Sequence, residues 1–456
     1  MTHATSIAFR QNGHAGRFPA RVLALAAFLF LAACSSDAWF GADEAPPLPG
    51  ERISILAHET TLTPDPEAVG KKVVLPRPFQ NPDWPPSGGY ANHAMHHLAV
   101  SATLRPVWQA DTGVGAGGDR RLITAPVVSG GLMFTFDAEH NISAFRADTG
   151  ARIWRVNLTP EDEEEDHFGG GIAAEGDRVF VSTGFAEVVA LEAKTGARIW
   201  RQHVSAPMRS APTVRGGRVF VVTLANTLHA LAASDGRSLW THQGVEETAV
   251  LLGTASPAVD SGVVVAPFST GEIAALKVEN GRVLWTDTLA NIHRTDAVST
   301  LSQIRGRPVI DRGMVIAVSH AGRMAALDLV SGRRIWEKPI GGMEAPWVAG
   351  NYVFVLTNDQ EIVALARDSG NILWVTSLPQ FSDPEDRSGP IIWTGPILVS
   401  DRLIVAGSDG QAMAISPYTG NILGGEDLPE GASVPPIVAN GMVYFLTENA
   451  GISAYR

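Results

Sequence analysis

The sequence predicts an all-β fold: an eight-bladed β-propeller of four-stranded antiparallel blades, its ring closed by N- and C-terminal strands and preceded by an extended N-terminal tether. Three observations predict it. A Gly is followed four residues later by Trp in six places, Gly150/Trp154, Gly196/Trp200, Gly236/Trp240, Gly281/Trp285, Gly332/Trp336 and Gly370/Trp374, and a seventh repeat keeps Gly420 but has Gly424 in the Trp position. Successive Trp positions from Trp154 onward lie 46, 40, 45, 51 and 38 residues apart, the length of one propeller blade. The array opens with a lone fourth strand, Arg105-Pro106-Val107-Trp108-Gln109, and finishes with three strands and no fourth, so the spare piece at one end completes the other.

From the N-terminus, residues 1–33 hold Arg10, Arg17 and Arg21, no acidic residue, and a 12-residue apolar run from Val22 to Ala33. Such a run is short for a bilayer-spanning helix, which needs roughly 20 residues, and fits the h-region of an export signal. It ends in Leu31-Ala32-Ala33-Cys34, which resembles a bacterial lipobox with Cys34 as the lipidated first residue of the mature chain. An ordinary cleaved signal with a chance Cys is the alternative. Ser35 and Ser36 follow in place of Asp, which by resemblance to lipoprotein sorting favours the outer membrane. Residues 34–97 lack the repeat and are rich in Pro, with Pro46, Pro47, Pro49, Pro76, Pro78, Pro82, Pro85 and Pro86, and read as a tether. The propeller is expected over 98–456.

Within the model unit 125–157, three apolar runs are separated by Gly130-Gly131 and by a turn over 137–141. Asp148-Thr149-Gly150 then leads into the fourth strand, where Gly accepts the positive φ that a tight turn requires. Second strands such as Val219-Phe220-Val221-Val222 are continuously apolar, as expected of strands buried on both faces. Trp108, Trp154, Trp200, Trp240, Trp285, Trp336 and Trp374 are expected to dock each blade onto the next, each N–H finding a polar partner. Residues in separate repeats cannot line one pocket, which weighs against a ligand-stacking role.

The mature chain would keep 32 Lys+Arg against 47 Asp+Glu, a balance that argues against nucleic-acid binding. Cys34 is the only Cys, so no intrachain disulfide forms and a Cys-based zinc site is disfavoured. No Walker loop, His-Glu-x-x-His pair or Gly-x-Ser-x-Gly elbow occurs. Gly113 to Gly118 fits a dinucleotide-loop spacing but precedes no helical pattern and reads as a loop. His93, His96 and His97 could share a metal, or pack the tether onto the propeller. The run from Glu161 to Asp166 lacks the alternating spacing of a calcium loop and reads as solvated.

The unit Ala147-Asp148-Thr149-Gly150-Ala151-Arg152-Ile153-Trp154 resembles the blade signature of pyrroloquinoline-quinone (PQQ) type propellers. Two branches of that superfamily matter. Quinoprotein alcohol dehydrogenases hold PQQ and Ca²⁺ on the propeller axis, usually beside a Cys pair. The lipobox, the eight units and the compact length are instead similar to the BamB lipoprotein family of the outer-membrane β-barrel assembly machine. That resemblance implies a non-enzymatic scaffold without cofactor or metal, at the periplasmic face of the outer membrane. Its partners would be the periplasmic domains of the machine's central, BamA-like barrel protein, and unfolded outer-membrane proteins. It also implies contact through the loops before the inner strands of two consecutive central blades, here 249–253 and 301–305. Leu251, Leu252 and Ile304 would be exposed at the centre of that contact, with Gln303 beside them and Arg305 as a charged anchor; burial of these Leu residues in the blade core is the alternative. Where the family has an Arg in the first loop and an acidic pair in the second, this chain has Leu252, and Gln303 with Arg305. A PQQ-dependent dehydrogenase or PQQ-binding propeller is the alternative reading.

Overall fold

Blade 1 shows how each repeat folds in the computed structural model, which describes residues 62–456 except 69, 119, 164–168, 248–252 and 291–301. Its inner strand Val127–Ser129 turns at Gly130-Gly131 into Leu132–Phe136, which pairs with Asn141–Arg146, and the outer strand Arg152–Asn157 completes an antiparallel meander. The middle strands are buried on both faces because each sheet lies between two others, while the outer strand alternates exposed and half-buried positions. Six more blades repeat this order over 170–203, 213–243, 258–288, 309–338, 347–377 and 393–427. The eighth joins three C-terminal strands, Ile437–Ala439, Met442–Leu446 and Gly451–Tyr455, to Pro106–Asp111 as its outer strand. The seam of the ring is thus a strand pair, extended by reciprocal backbone bonds between Arg105 and Arg456 of 2.8 and 2.9 Å.

Three residues recur at each outer strand. The Trp lies opposite an Ala of the third strand, Ala144, Ala190, Ala230, Ala275, Ala326, Ala364 and Ala454, whose small side chain leaves room for the indole. A β-bulge just before the Trp turns one apolar residue outward, so Val107, Ile153 and Ile199 are exposed. The Gly belongs to the next blade. A Cβ placed on Gly150, Gly196, Gly236, Gly281, Gly332, Gly370 or Gly420 would come within 2.5–2.8 Å of the indole of the preceding blade, and each of these residues has φ between +70° and +77°. Gly is therefore required twice over, by its backbone and by its neighbour. Each indole Nε1–H also donates to a carbonyl three residues before that Gly: Ala147, Ala193, Ala233, Val278, Leu329, Arg367 or Pro417, at 2.6–3.2 Å.

The eighth seam inverts the pair. Gly424 stands opposite Ala414, in the Trp register of blade 7, and Leu104 stands four residues before Trp108, where the other blades carry Gly.

The stretch read as a tether needs correction at its C-terminal end. Residues 81–98 are part of the propeller body and run as a strap along the inner edges of the sheets, with Trp84, Met95 and Leu98 in its largest apolar cluster. The strap meets the blades in ring order. Asn81 bonds Val438 and Asn440 of blade 8, Trp84 pairs with Val128 of blade 1, and the Pro85 carbonyl accepts from Ala174 of blade 2. Ala91 accepts from Val259 of blade 4, Asn92 from Ile310 of blade 5, and His96 from the Trp347 indole of blade 6. Leu98 finally bonds Leu398 and Ser400 of blade 7. These bonds satisfy backbone groups that an open inner edge would leave unpaired.

Candidate functional site

The loops leading into the inner strands gather around the axis beside the strap. Arg209 before blade 3, Thr254 before blade 4, Arg305 and Arg307 before blade 5, and Glu344 before blade 6 surround a cavity of about 70 Å³ with Ser87 of the strap. A second cavity of about 30 Å³ lies between Trp84, His93, Arg307 and Trp347. Among the described residues the lining holds three arginines and one carboxylate, which gives this part of the mouth a basic character in a chain of net charge −12. Arg307 donates to Ser87 Oγ at 3.2 Å, and burial pulls its pKa down, opposed by Glu344 and reinforced by Arg305. Burial also lowers the pKa of Arg209. Such a mouth attracts anionic groups.

Beside it, burial and the Arg307 charge push the His93 imidazole down to about 3, so the ring is neutral and its Nδ1–H donates to the Pro308 carbonyl at 2.8 Å. The three neighbouring histidines do not converge. His96 Nε2 lies 3.5 Å from Asp311, while His97 donates from Nδ1 to the Pro76 carbonyl and accepts at Nε2 from the Asp401 backbone. His93 and His96 are tied to the inner strand of blade 5 and its approach, and His97 to Pro76 and blade 7, which is the packing alternative. Among the described residues no group of three His, Cys, Asp or Glu is arranged to hold a metal.

Among the described residues the axial lining does not fit PQQ with Ca²⁺: the two cavities are far below the roughly 300 Å³ of a small-molecule site, and arginines line the larger one where a cation would need carboxylates.

The structure sorts the expected site residues. Cys34, Leu251 and Leu252 lie outside the described residues. Arg305 is half-buried at the basic mouth, its Nη1 3.7 Å from Met343 Sδ. Ile304 is a correction: expected exposed, it is 1% exposed because it fills the apolar layer between blades 4 and 5 with Leu289 and Ala317. Gln303 is buried too, its amide donating to the Gly253 carbonyl at 2.7 Å and so tying the two loops together. The Gly113–Gly118 loop leads into no helix; it packs on the last turn of blade 8, where Ala116 N donates to the Glu448 carbonyl. Sequence reasoning missed Arg209, Arg307 and Glu344 at the mouth. Their only signal is position, each lying a few residues before an inner strand. It also missed the Ala ten residues before six of the Trp residues, Trp154 to Trp374, which was readable as a second repeat.

A family model described as outer membrane protein assembly factor BamB matches residues 138–376. The outer membrane protein assembly factor BamB of Yersinia pestis is 27% identical over 355 residues, covering 76% of this chain and 88% of that protein. Its namesake from Escherichia coli K12 is 27% identical over 348 residues, covering 75% and 86%. Among solved structures, BamB from Moraxella catarrhalis superposes with a TM-score of 0.66 at 20% identity, covering 78% of this chain and all of that one. Quinohemoprotein alcohol dehydrogenase from Comamonas testosteroni gives 0.62 at 14% identity, covering 82% and 80%. At these identities the structural likenesses establish the fold, and the sequence match decides the branch. The chain belongs to the outer membrane protein assembly factor BamB family.

Proposed function

We propose that this chain is a non-enzymatic scaffold of the outer-membrane β-barrel assembly machine. In this reading residues 1–33 are an export signal, lipid on Cys34 anchors the chain at the periplasmic face of the outer membrane, and the residues up to the strap are the tether. The propeller holds the periplasmic domains of the central BamA-like barrel protein and assists assembly and insertion of barrel proteins. Family membership supports the role, and the observation that carries the contact is the basic mouth. Arg209, Arg305 and Arg307 line it together with Gly253 and Thr254, so a partner surface with acidic groups is matched to it; the apolar share of the contact is assigned to Leu251 and Leu252 by the family resemblance. Gln303 and Ile304 act from below, as supports that fix the loop carrying Arg305.

The test is co-purification from envelopes. Arg305→Glu combined with Leu251→Asp should reduce recovery of the barrel protein at least about tenfold, since a rim charge and an apolar contact are both lost. Thermal melting unchanged from the parent shows that the double variant folds. Full recovery of the barrel protein with the double variant would overturn this contact. Cys34→Ser should move the protein from the membrane pellet to the soluble fraction.

A further inference from the structure

We propose that the cleft between blades 7 and 8 binds an indole or similar aromatic side chain carried on an extended segment of an unfolded barrel protein. At the other seven seams an indole covers the third-strand Ala, which is then fully buried. At this seam Gly424 supplies no side chain, a Cβ placed on it would meet nothing within 4 Å, and Ala414 beneath it is partly exposed. The space left is a cleft of about 290 Å³. Leu104, Ile404, Met413, Phe445 and Tyr455 line it, an apolar and polarizable wall of the kind that receives aromatic rings. Two polar groups complete it. Arg402, its guanidinium fixed by bonds to the Ser101 and Ala102 carbonyls, offers a cation to a ring face, and Glu426 offers an acceptor to an indole N–H.

The same strand provides the means of delivery. Ile422–Asp427 is exposed along its whole length and forms the outer edge of its sheet, so its free backbone groups can pair with an added strand. Gly424 and Gly425 leave the centre of that edge without side chains, and Leu423, the outward bulge residue, stands at the rim of the cleft. A segment pairing here would present every second side chain towards the cleft. Strands of membrane barrels alternate in this way and carry aromatic girdles. The source of the segment rests on the assembly-factor reading; the cleft and its preference for an aromatic ring do not.

The experiment uses the intact protein and two synthetic peptides of about ten alternating residues, identical except for a central Trp or Ala, with 5-fluoroindole as a fluorine NMR probe. The expected result is saturable binding of the Trp peptide at least tenfold tighter than the Ala peptide, with displacement of 5-fluoroindole. Ala414→Phe, which fills the cleft from below, and Leu423→Asp, which charges its rim, should each weaken the Trp peptide at least tenfold. Melting curves unchanged from the parent show that both variants fold. Arg305→Glu should leave peptide binding intact, so full recovery of the barrel protein by the Arg305→Glu, Leu251→Asp variant, with peptide binding preserved, counts against the scaffold contact alone. Equal binding of the two peptides, or undiminished binding by both cleft variants, would overturn the proposal.

Discussion

The rim and the hub of this propeller are held by different devices. At the rim, one side-chain lock is used seven times: an indole seated over an Ala of its own blade, touching a Gly of the next and donating to a carbonyl three residues before it. At the hub, a single irregular segment, 81–98, ties the inner edges of six blades by main-chain bonds and that of blade 6 through the Trp347 indole. Equivalent seams can share one encoded solution. The inner edges cannot, because one chain threading past them offers each blade a different residue. The comparison teaches that the repeat specifies contacts between neighbouring blades, while a segment outside the repeat satisfies what the repeat leaves open.

The sharpest way to break the rim lock is to remove its indole. Trp200→Ala should cost about 3–5 kcal/mol, read as a fall in the midpoint of chemical unfolding, because a buried ring and its hydrogen bond to the Ala233 carbonyl are both lost. Gly236→Ala should also destabilise, through a φ of +77° and a Cβ 2.7 Å from the Trp200 ring. The double variant should be less damaging than the sum, since the clash disappears with the ring. Strict additivity would show that the two residues are not one lock.

The hub should differ from the rim in its response to pH. His93 carries an ordinary value near 6.5 in the unfolded chain and about 3 in the folded one, so the unfolded chain takes up the proton first as pH falls. The contribution is complete above pH 6.5 and is lost progressively towards pH 3, at a limiting slope of about 1.4 kcal/mol per unit and roughly 2–3 kcal/mol by pH 4.5. His93→Asn should flatten that slope; Asn suits the site because His93 has a φ of +61°. Trp200→Ala should lower stability at every pH and leave the slope alone. Unfolding midpoints measured from pH 7 to pH 4.5 separate the two, and equal slopes in His93→Asn and parent would remove the hub from the account.

This division also explains what was legible. Blade number, strand order, closure and the identity of the rim residues could be read because Gly, Trp and their spacing recur, and a recurring residue points to a recurring environment. The strap has no copy of itself anywhere in the chain, and its Pro-rich composition reads the same for a tether in solution as for a segment bonded along an axis. Ile304 failed for a related reason. It precedes an inner strand in a loop, where an apolar residue is equally suited to an interface and to the layer between blades, and only the packing of Leu289 and Ala317 decides. The basic mouth was hidden because Arg209, Arg307 and Glu344 come from three different repeats and meet only in the closed ring. The Gly424 anomaly was visible, but its partner, Leu104 in the place of a Gly, required the register of the joined eighth blade.

The eighth seam, where strap and rim meet, offers the smallest and most discriminating test. After Leu98 the chain crosses blade 7, where Arg402 donates to the Ala102 and Ser101 carbonyls at 2.8 Å and Ser400 exchanges bonds with Val100, before the chain enters blade 8 as its outer strand. Ser101 and Ala102 are exposed, so water can replace the guanidinium when it is removed, and the aliphatic stem can be kept by Met. Arg402→Met should therefore cost only about 1 kcal/mol, the net worth of bonds exchanged with water. A loss of 3 kcal/mol or more would mean that this one side chain does at the closing seam what an indole does at the other seven, and that the backbone pairing of Pro106–Asp111 with Gly451–Tyr455 contributes less to closure than its hydrogen bonds imply.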